Sequence, residues 1–99
     1  MRRVVVRRLA QAEIAEAFEW YRARSVTAAG EFLAEVDRAM VEIEREPEHF
    51  PVVHGRLRRL LLQRFPYGVY FKVYAHSISV VGVIHGHRHP DVWLKRAAP

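Results

Sequence analysis

The spacing of hydrophobic residues predicts a strand and then two helices in the first half of the chain. Three valines within the segment Arg3–Arg7 are flanked by charge, which indicates a strand. From Ala10 to about Arg24, apolar residues recur every three or four positions opposite glutamates, and this spacing predicts a helix. A second stripe of this kind predicts another helix, capped by Ser25 or Thr27 and ended by Pro47. The short connection favours an antiparallel helical hairpin.

The second half of the chain changes to the alternating pattern of strands. Residues 47–55, PEHFPVVHG, contain prolines and a glycine and are predicted to form a loop. Three strands are predicted after it, over Leu57–Phe65, Val69–Ala75 and Ile78–Ile84, with a bulge or corner at Pro66. Strands this close in sequence pair as a meander. The order β-α-α-β-β-β predicts one α+β domain over residues 1–99, an antiparallel sheet with the N-terminal helical hairpin packed on one face.

Positive charge is concentrated in the second half of the chain. Residues 1–50 hold 8 Lys or Arg and 10 Asp or Glu, whereas residues 51–99 hold 8 Lys or Arg and a single acid, Asp91. The resulting net charges of −2 and +7 account for the +5 of the whole chain. Five of the 6 histidines also lie in the second half. This asymmetry points to an anionic partner, either nucleic acid or an acidic protein segment.

The composition excludes several kinds of site. The chain has no cysteine, so it has no disulfide framework, no thiolate nucleophile and no zinc site of the cysteine type. Its first ten residues, MRRVVVRRLA, are too polar for a signal peptide or a membrane span. We therefore expect a cytoplasmic protein that does not contact the membrane. No cofactor is expected.

Histidines and arginines of the second half are the candidates for catalysis. Cleavage of RNA needs a base for the ribose 2′-hydroxyl, an acid for the leaving oxygen and cations around the phosphate. His85 and His87 are the candidate acid and base. Guanidinium groups bind phosphate through two parallel hydrogen bonds, so the candidate phosphate ligands are Arg59, Arg64 and Arg88.

The alternating His85, His87 and His89 also have the spacing of metal ligands on one face of a strand. Gly86 and Pro90 bracket a turn at this point, so regular alternation is not expected there. We therefore predict no metal site. His85 is expected to pack at the sheet edge and to hydrogen-bond a backbone group, with His87 and His89 partly exposed.

Three arginines fall on the first strand of the predicted meander. Arg58 and Arg64 are expected on one face of this strand and Arg59 on the other. They protect an edge strand against aggregation, dock an acidic strand of a partner protein, or do both. Trp20 lies at the border of the first helical stripe, where it either covers the rim of the core or lies under a helix of a bound partner.

Four segments carry a resemblance to a known family. They are AEIAEAFEWYRAR, FLAEVDRAMVEIEREPEHFP, RRLLLQRFPYGVYFKV and VVGVIHGHRHPDVWLKR, and together they cover nearly the whole chain. In this order and spacing they resemble the ParE branch of the ParE/RelE toxin superfamily. The resemblance implies the same β-α-α-β-β-β fold. It also implies the toxin of a type II toxin–antitoxin module, of the kind linked to plasmid stabilization and growth arrest, which a cognate antitoxin neutralises in a hetero-oligomer.

The two branches of this superfamily differ in their targets. The ParE branch implies a poison of DNA gyrase that acts by binding, whereas members of the RelE branch cleave messenger RNA on the ribosome, and a shared fold does not choose between them. The tail Pro90–Arg96 has no terminal tyrosine of the RelE kind and resembles the ParE tail. We therefore predict a non-catalytic gyrase inhibitor. The alternatives are a ribosome-dependent messenger RNA endonuclease and an inactive relic that acts only in an autoregulatory complex with its antitoxin. The residues predicted to contact the target or the antitoxin are Arg59, Arg64, Tyr67, His85, Arg88, Trp93 and Arg96.

Overall fold

The computed structural model describes residues 2–98, and its strands and helices follow the predicted order, with a short strand added before the meander and a short helix after it. Two 3-10 turns, Pro47–His49 and Lys95–Ala97, complete the described part. The strands are β1 Arg3–Val6, β2 Val52–His54, β3 Leu57–Leu61, β4 Tyr67–Val73 and β5 Ser77–His85, and the α-helices are α1 Arg8–Arg22, α2 Val26–Arg45 and α3 Asp91–Leu94.

The helical hairpin forms where the apolar stripes predict it. Ser25 is the N-cap of α2, and its side-chain oxygen accepts a hydrogen bond from the backbone N–H of Ala28 at 3.1 Å. Thr27 lies inside the helix and is not the cap. The stripes of the two helices meet at Tyr21 and Phe32, whose ring centroids lie 5.5 Å apart. The predicted α+β fold, with this hairpin packed on one face of the sheet, is confirmed.

The sheet has the order β1-β5-β4-β3-β2, and one of its strand pairs is parallel. The three strands β3, β4 and β5 pair as the predicted antiparallel meander. In contrast, β1 runs parallel to β5, with Arg3 opposite Ser77 and Val6 opposite Val80. The antiparallel prediction is therefore corrected at this edge. A parallel pair needs a long crossover, and the helical hairpin together with the meander supplies one.

Residues 47–55 were predicted to form a loop, and part of this segment is a strand. Pro47–His49 forms a 3-10 turn, and β2 then pairs with β3, with Val52 opposite Arg58. Gly55 closes the hairpin with φ of 56°, a conformation that favours glycine. The short strand satisfies backbone groups that β3 would otherwise leave unpaired at the edge of the sheet.

The strand β3 ends at Leu61, earlier than the predicted Phe65. The carboxylate of Glu35 on α2 accepts hydrogen bonds from the backbone N–H groups of Gln63 and Arg64. These donors therefore face the helix instead of a neighbouring strand. Arg64 consequently lies in the turn after β3, and the prediction that it shares a strand face with Arg58 was wrong.

The two faces of the sheet are covered by different layers. The helical hairpin covers one face, where β4 and β5 contribute Val69, Phe71 and Val80 to the main core. The C-terminal segment 91–97 packs on the other face, which we call the outer face. Its apolar residues contact a small buried cluster of Leu57, Tyr70 and Ile84. None of the helices within residues 2–98 is long and apolar enough to cross a membrane.

Candidate functional site

An open groove of about 930 Å³ runs between α1 and the C-terminal end of β5. We call it the α1 groove. Two large apolar side chains on its helical side are solvent-exposed, Leu9 by 59% and Trp20 by 53%. Large apolar side chains this exposed beside a concavity are typical of a binding surface. Three of the residues predicted to contact the target or the antitoxin also line it, and these are Tyr67, His85 and Arg88.

A row of rings in edge-to-face contact begins on the sheet side of the α1 groove. The ring of Tyr67 lies 5.1 Å from that of His85, which in turn lies 5.0 Å from that of His87. The Nδ1 atom of His85 accepts a hydrogen bond from the backbone N–H of His87 at 3.0 Å, as expected of a histidine that bonds the backbone. Burial raises the pKa of the Tyr67 phenol, and the charges of Tyr21 and Glu16 raise it further. Tyr67 is therefore a neutral wall of the groove and not a base at neutral pH.

The helical side of the α1 groove is acidic, whereas Arg88 lies on its sheet side. Glu16 and Glu19 line the groove from α1. Arg22 donates hydrogen bonds to Glu19 at 2.7 and 2.9 Å and thereby lowers the pKa of that carboxyl. The guanidinium of Arg24 stacks on the Trp20 ring at 3.8 Å from the centroid. The groove thus offers an apolar floor between rims of opposite charge.

Trp93 and Arg59 lie on the outer face, away from the α1 groove. The Trp93 ring stacks on Tyr70 with centroids 5.6 Å apart and an angle of 18° between the planes. The Arg59 guanidinium lies 6.0 Å from the same Tyr70 ring. Its Nε atom is buried and has no hydrogen-bond partner within residues 2–98. Trp93 therefore helps to hold the C-terminal segment against the sheet, and Arg59 lies beside the same Tyr70 ring.

Arg96 fixes the C-terminal segment to α1. Its two terminal nitrogens donate to the two carboxylate oxygens of Glu13 at 3.0 and 2.9 Å, and one of them also donates to the carbonyl oxygen of Val81 at 2.8 Å. Glu13 also accepts a hydrogen bond from the backbone N–H of Val83 at 2.9 Å. Glu13 and Arg96 together therefore bond backbone groups of β5 that lie beyond the end of β1. We therefore place Arg96 among the structural residues.

Glu13 is a site residue that sequence reasoning missed, because it was assigned to the polar side of the helix. A signal was present in its spacing. Glu13 lies three residues after Ala10 and four before Ala17, which are the two fully buried positions of α1. It therefore belongs to the inward face of the helix.

The candidate nuclease residues are brought together only in part. His85 and Arg88 line the α1 groove, whereas Arg59 lies on the outer face. Arg64 forms an ion pair with Glu31 of α2. His87 is exposed next to His85. An acid, a base and several phosphate ligands must act on one phosphate, and this arrangement leaves Arg88 beside the two histidines but separates Arg59 and Arg64 from them.

The three C-terminal histidines do not form a cluster. No group of three His, Cys, Asp or Glu side chains in the described part of the chain is placed to hold a metal ion. His89 accepts a hydrogen bond from the backbone N–H of Asp91 at 3.2 Å and lies 3.5 Å from its carboxylate. His89 therefore stabilises the turn before α3 instead of joining His85.

Comparison with known proteins gives one family and one fold. Residues 4–90 match the model of the family described as ParE toxin of type II toxin-antitoxin system, parDE. Among solved structures, the chain is similar to the chromosomal ParDE TA system from P. aeruginosa, with a TM-score of 0.77 and 17% sequence identity. That alignment covers 86% of this chain and 96% of the other. No curated protein matches the sequence.

Proposed function

This chain belongs to the family of ParE toxins of type II toxin–antitoxin systems, and on that premise we propose that it is a cytoplasmic toxin that inhibits DNA gyrase by binding. A cognate antitoxin would neutralise it in a hetero-oligomer. The observation that carries the choice of binding over cleavage is the separation of two candidate phosphate ligands, Arg59 and Arg64, from the histidines that would act as acid and base. His85 and Arg88 lie on one side of the sheet, Arg59 lies on the other, and Arg64 is held by Glu31.

The α1 groove is the surface that we assign to the antitoxin. Its apolar floor and exposed Trp20 fit the apolar face of a helical segment, a mode of recognition in which a few anchoring side chains fill a groove. Because Arg88 lines the same groove, an antitoxin segment seated there also covers the adjoining loop of residues 86–90. We propose that this exposed loop contacts gyrase, so that the antitoxin acts by covering it.

A supercoiling assay with purified gyrase and the free protein tests the proposed target. We expect inhibition of supercoiling by the wild type and a loss of potency of about tenfold or more for Arg88→Ala, as for a central interface residue. Arg38→Ala, which removes an exposed arginine of α2, is the matched control and should inhibit normally. Unchanged supercoiling at high molar excess of the wild type would rule out gyrase as the target.

Two other outcomes distinguish the alternatives from the proposal. Cleavage of labelled messenger RNA on translating ribosomes, lost in a folded His85→Ala variant, would assign ribonuclease activity. Normal growth during induced expression of the wild type without antitoxin would assign an inactive relic. Growth arrest with intact messenger RNA and altered supercoiling is the result that the proposal expects.

A further inference from the structure

The outer face of the sheet carries a row of cations that crosses the strands at the end opposite the α1 groove. Arg3 pairs with Ser77 across β1 and β5, and the backbone N–H of Tyr74 bonds the carbonyl oxygen of Ser77 at 2.8 Å. The Arg56 guanidinium then lies 5.3 Å from the centroid of the Tyr74 ring. These four residues therefore form a row across the sheet that has a cation at each end, Arg3 and Arg56.

A second row runs beside the first. The Nε atom of Arg7 donates to the hydroxyl of Ser79 at 2.6 Å, and Ser79 pairs with Lys72 of β4. Lys72 is only 6% exposed, and its Nζ donates to the carbonyl oxygen of Ala98 at 2.6 Å. We call the exposed residues Arg3, Arg7 and Arg56 the basic strip, and Lys72 lies buried beneath the C-terminal segment beside it.

The side chains of the basic strip belong to the outer face. Val4 and Val6 of β1 pack against the main core on the helical side. Because side chains alternate along a strand, Arg3, which precedes Val4, points to the outer face. Arg3, Arg7 and Arg56 are exposed to solvent. Within residues 2–98, none of the three cations of the strip forms an ion pair with a carboxylate, and neither does Lys72.

The acidic residues of the chain lie in the other layer. Ten of the 11 Asp and Glu residues fall within residues 13–48, which form the two long helices and the turn after them. Negative charge is therefore concentrated in the helical layer and positive charge on the outer face. Such a separation concentrates polyanions on one face and repels them from the other.

We infer that the basic strip is a binding site for the phosphodiester backbone of nucleic acid, and specifically of duplex DNA. The strip spans four adjacent strands, which at about 4.8 Å spacing gives a length of roughly 14 Å. Duplex DNA carries one charge per about 1.7 Å of its axis, so a strip of this length faces several phosphates. Backbone contacts of this kind come from Arg and Lys together with Ser and Tyr hydroxyls, and Ser77 and Tyr74 supply such hydroxyls here.

The direction of the basic strip favours nucleic acid over an acidic peptide. A peptide that docks on a sheet gains its affinity by running along a free edge and extending the ladder. The strip runs across the strands, where the backbone groups of the central strands are already paired. A peptide lying along it would form no ladder, whereas a DNA backbone needs only cations and hydroxyls.

Direct titration of labelled duplex DNA with the purified full chain, without gyrase or antitoxin, tests this inference. The variant Arg3→Gln/Arg7→Gln/Arg56→Gln removes the exposed charges of the strip and leaves the buried Lys72 in place. The control Arg24→Gln/Arg38→Gln/Arg45→Gln removes the same charge from exposed positions on or beside the helices. Each lost phosphate contact lowers the slope of log affinity against log salt by about 0.9, so we expect the strip variant to lose about 2.7 of the slope and the control to keep it.

The outcomes that decide the inference are distinct. Equal affinity and slope in the wild type and the strip variant would overturn it, as would an equal loss in the control. Equal binding of polyglutamate of matched charge would also overturn it, because the site would then take any polyanion. Binding of single-stranded RNA but not of duplex DNA would overturn the assignment to DNA. Because gyrase is absent from this assay, a lack of DNA binding would not contradict the proposed gyrase inhibition. A lack of gyrase inhibition would likewise not contradict DNA binding by the basic strip.

Discussion

At the scale of single residues, Glu13 joins three parts of the chain through one carboxylate. It receives the guanidinium of Arg96 and the backbone N–H of Val83, and its side chain is 21% exposed. We expect Arg96→Ala to lower the free energy of unfolding by about 2 kcal/mol, because a charged and partly buried acceptor loses two donors. Urea denaturation measures this. Arg22→Ala breaks an exposed pair and is the control, and it should cost clearly less than Arg96→Ala because solvent screens the pair. Equal costs for the two variants would contradict the structural role of Arg96.

Two partly buried phenols, Tyr67 and Tyr21, make the free energy of unfolding depend on alkaline pH. Burial raises the pKa of both phenols above the ordinary value of 10.0. A group whose folded pKa is raised stabilises the fold fully below its unfolded pKa, and this contribution is lost as the pH rises through the folded pKa. We therefore expect the free energy of unfolding to fall above about pH 10, where phenols of the unfolded chain ionise first.

Tyr67→Phe tests the origin of this alkaline loss. The variant keeps the ring against His85 and removes the ionising hydroxyl. Its free energy of unfolding should fall less steeply between neutral pH and the alkaline range than that of the wild type. Tyr74→Phe, at an exposed tyrosine, is the control and should follow the wild type. An identical alkaline slope in Tyr67→Phe and the wild type would show that burial of this phenol is not the cause.

At the scale of elements, the start of α2 depends on one side chain. Ser25 accepts the backbone N–H of Ala28, so Ser25→Ala leaves a helix-end donor without its partner. We expect a loss of about 1 kcal/mol in the free energy of unfolding. Thr27→Ala, two residues later and inside the helix, should be close to neutral. A larger effect at Thr27 than at Ser25 would place the cap at the other residue.

The elements also show how far the sequence predicts this fold. Both long helices and the meander were predictable because their apolar residues repeat at the period of a helix or a strand over many positions. The three residues of β2 are too few for a period, and they follow Pro51 in a segment typical of loops. The parallel partner of β1 depends on a contact between the two ends of the chain, on which local spacing carries no information. The end of β3 at Leu61 depends on Glu35, which lies 28 residues before Gln63.

The candidate site was predictable only in part, for the same reason. Tyr67, His85 and Arg88 were selected by residue type and do meet, because cross-strand pairing places Tyr67 opposite His85. Arg59, Trp93 and Arg96 were selected on equal grounds, yet Trp93 and Arg96 hold the C-terminal segment to the rest of the fold, and Arg59 lies beside Tyr70 on the outer face. A cation that binds a partner and a cation that binds its own fold have the same sequence signature. The two cases are distinguished only by the folded neighbours, because Arg96 binds Glu13 and Trp93 stacks on Tyr70.

At the scale of the whole molecule, the α1 groove and the basic strip lie on opposite faces of the sheet, and the Arg3 end of the strip lies at the other end of β5. His85 borders the groove, and Ser77 pairs with Arg3 of the strip. Eight residue steps separate His85 from Ser77, which in a strand is about 26 Å. This distance exceeds the Debye length of about 8 Å at physiological salt, so charge at this end of the strip is largely screened from the groove. The two surfaces are therefore expected to bind their partners independently.

This independence can be measured with the toxin-binding segment of the cognate antitoxin. We expect the segment to abolish gyrase inhibition. The affinity of the toxin for duplex DNA should change by less than about twofold, which corresponds to well under 1.4 kcal/mol, because the two surfaces are expected to bind independently. Trp20→Ala should weaken binding of the segment and leave DNA binding intact, whereas the triple substitution in the basic strip should do the reverse. If the segment instead displaced DNA from the wild-type toxin, the two sites would overlap, and neutralisation would act through the outer face and not through the α1 groove.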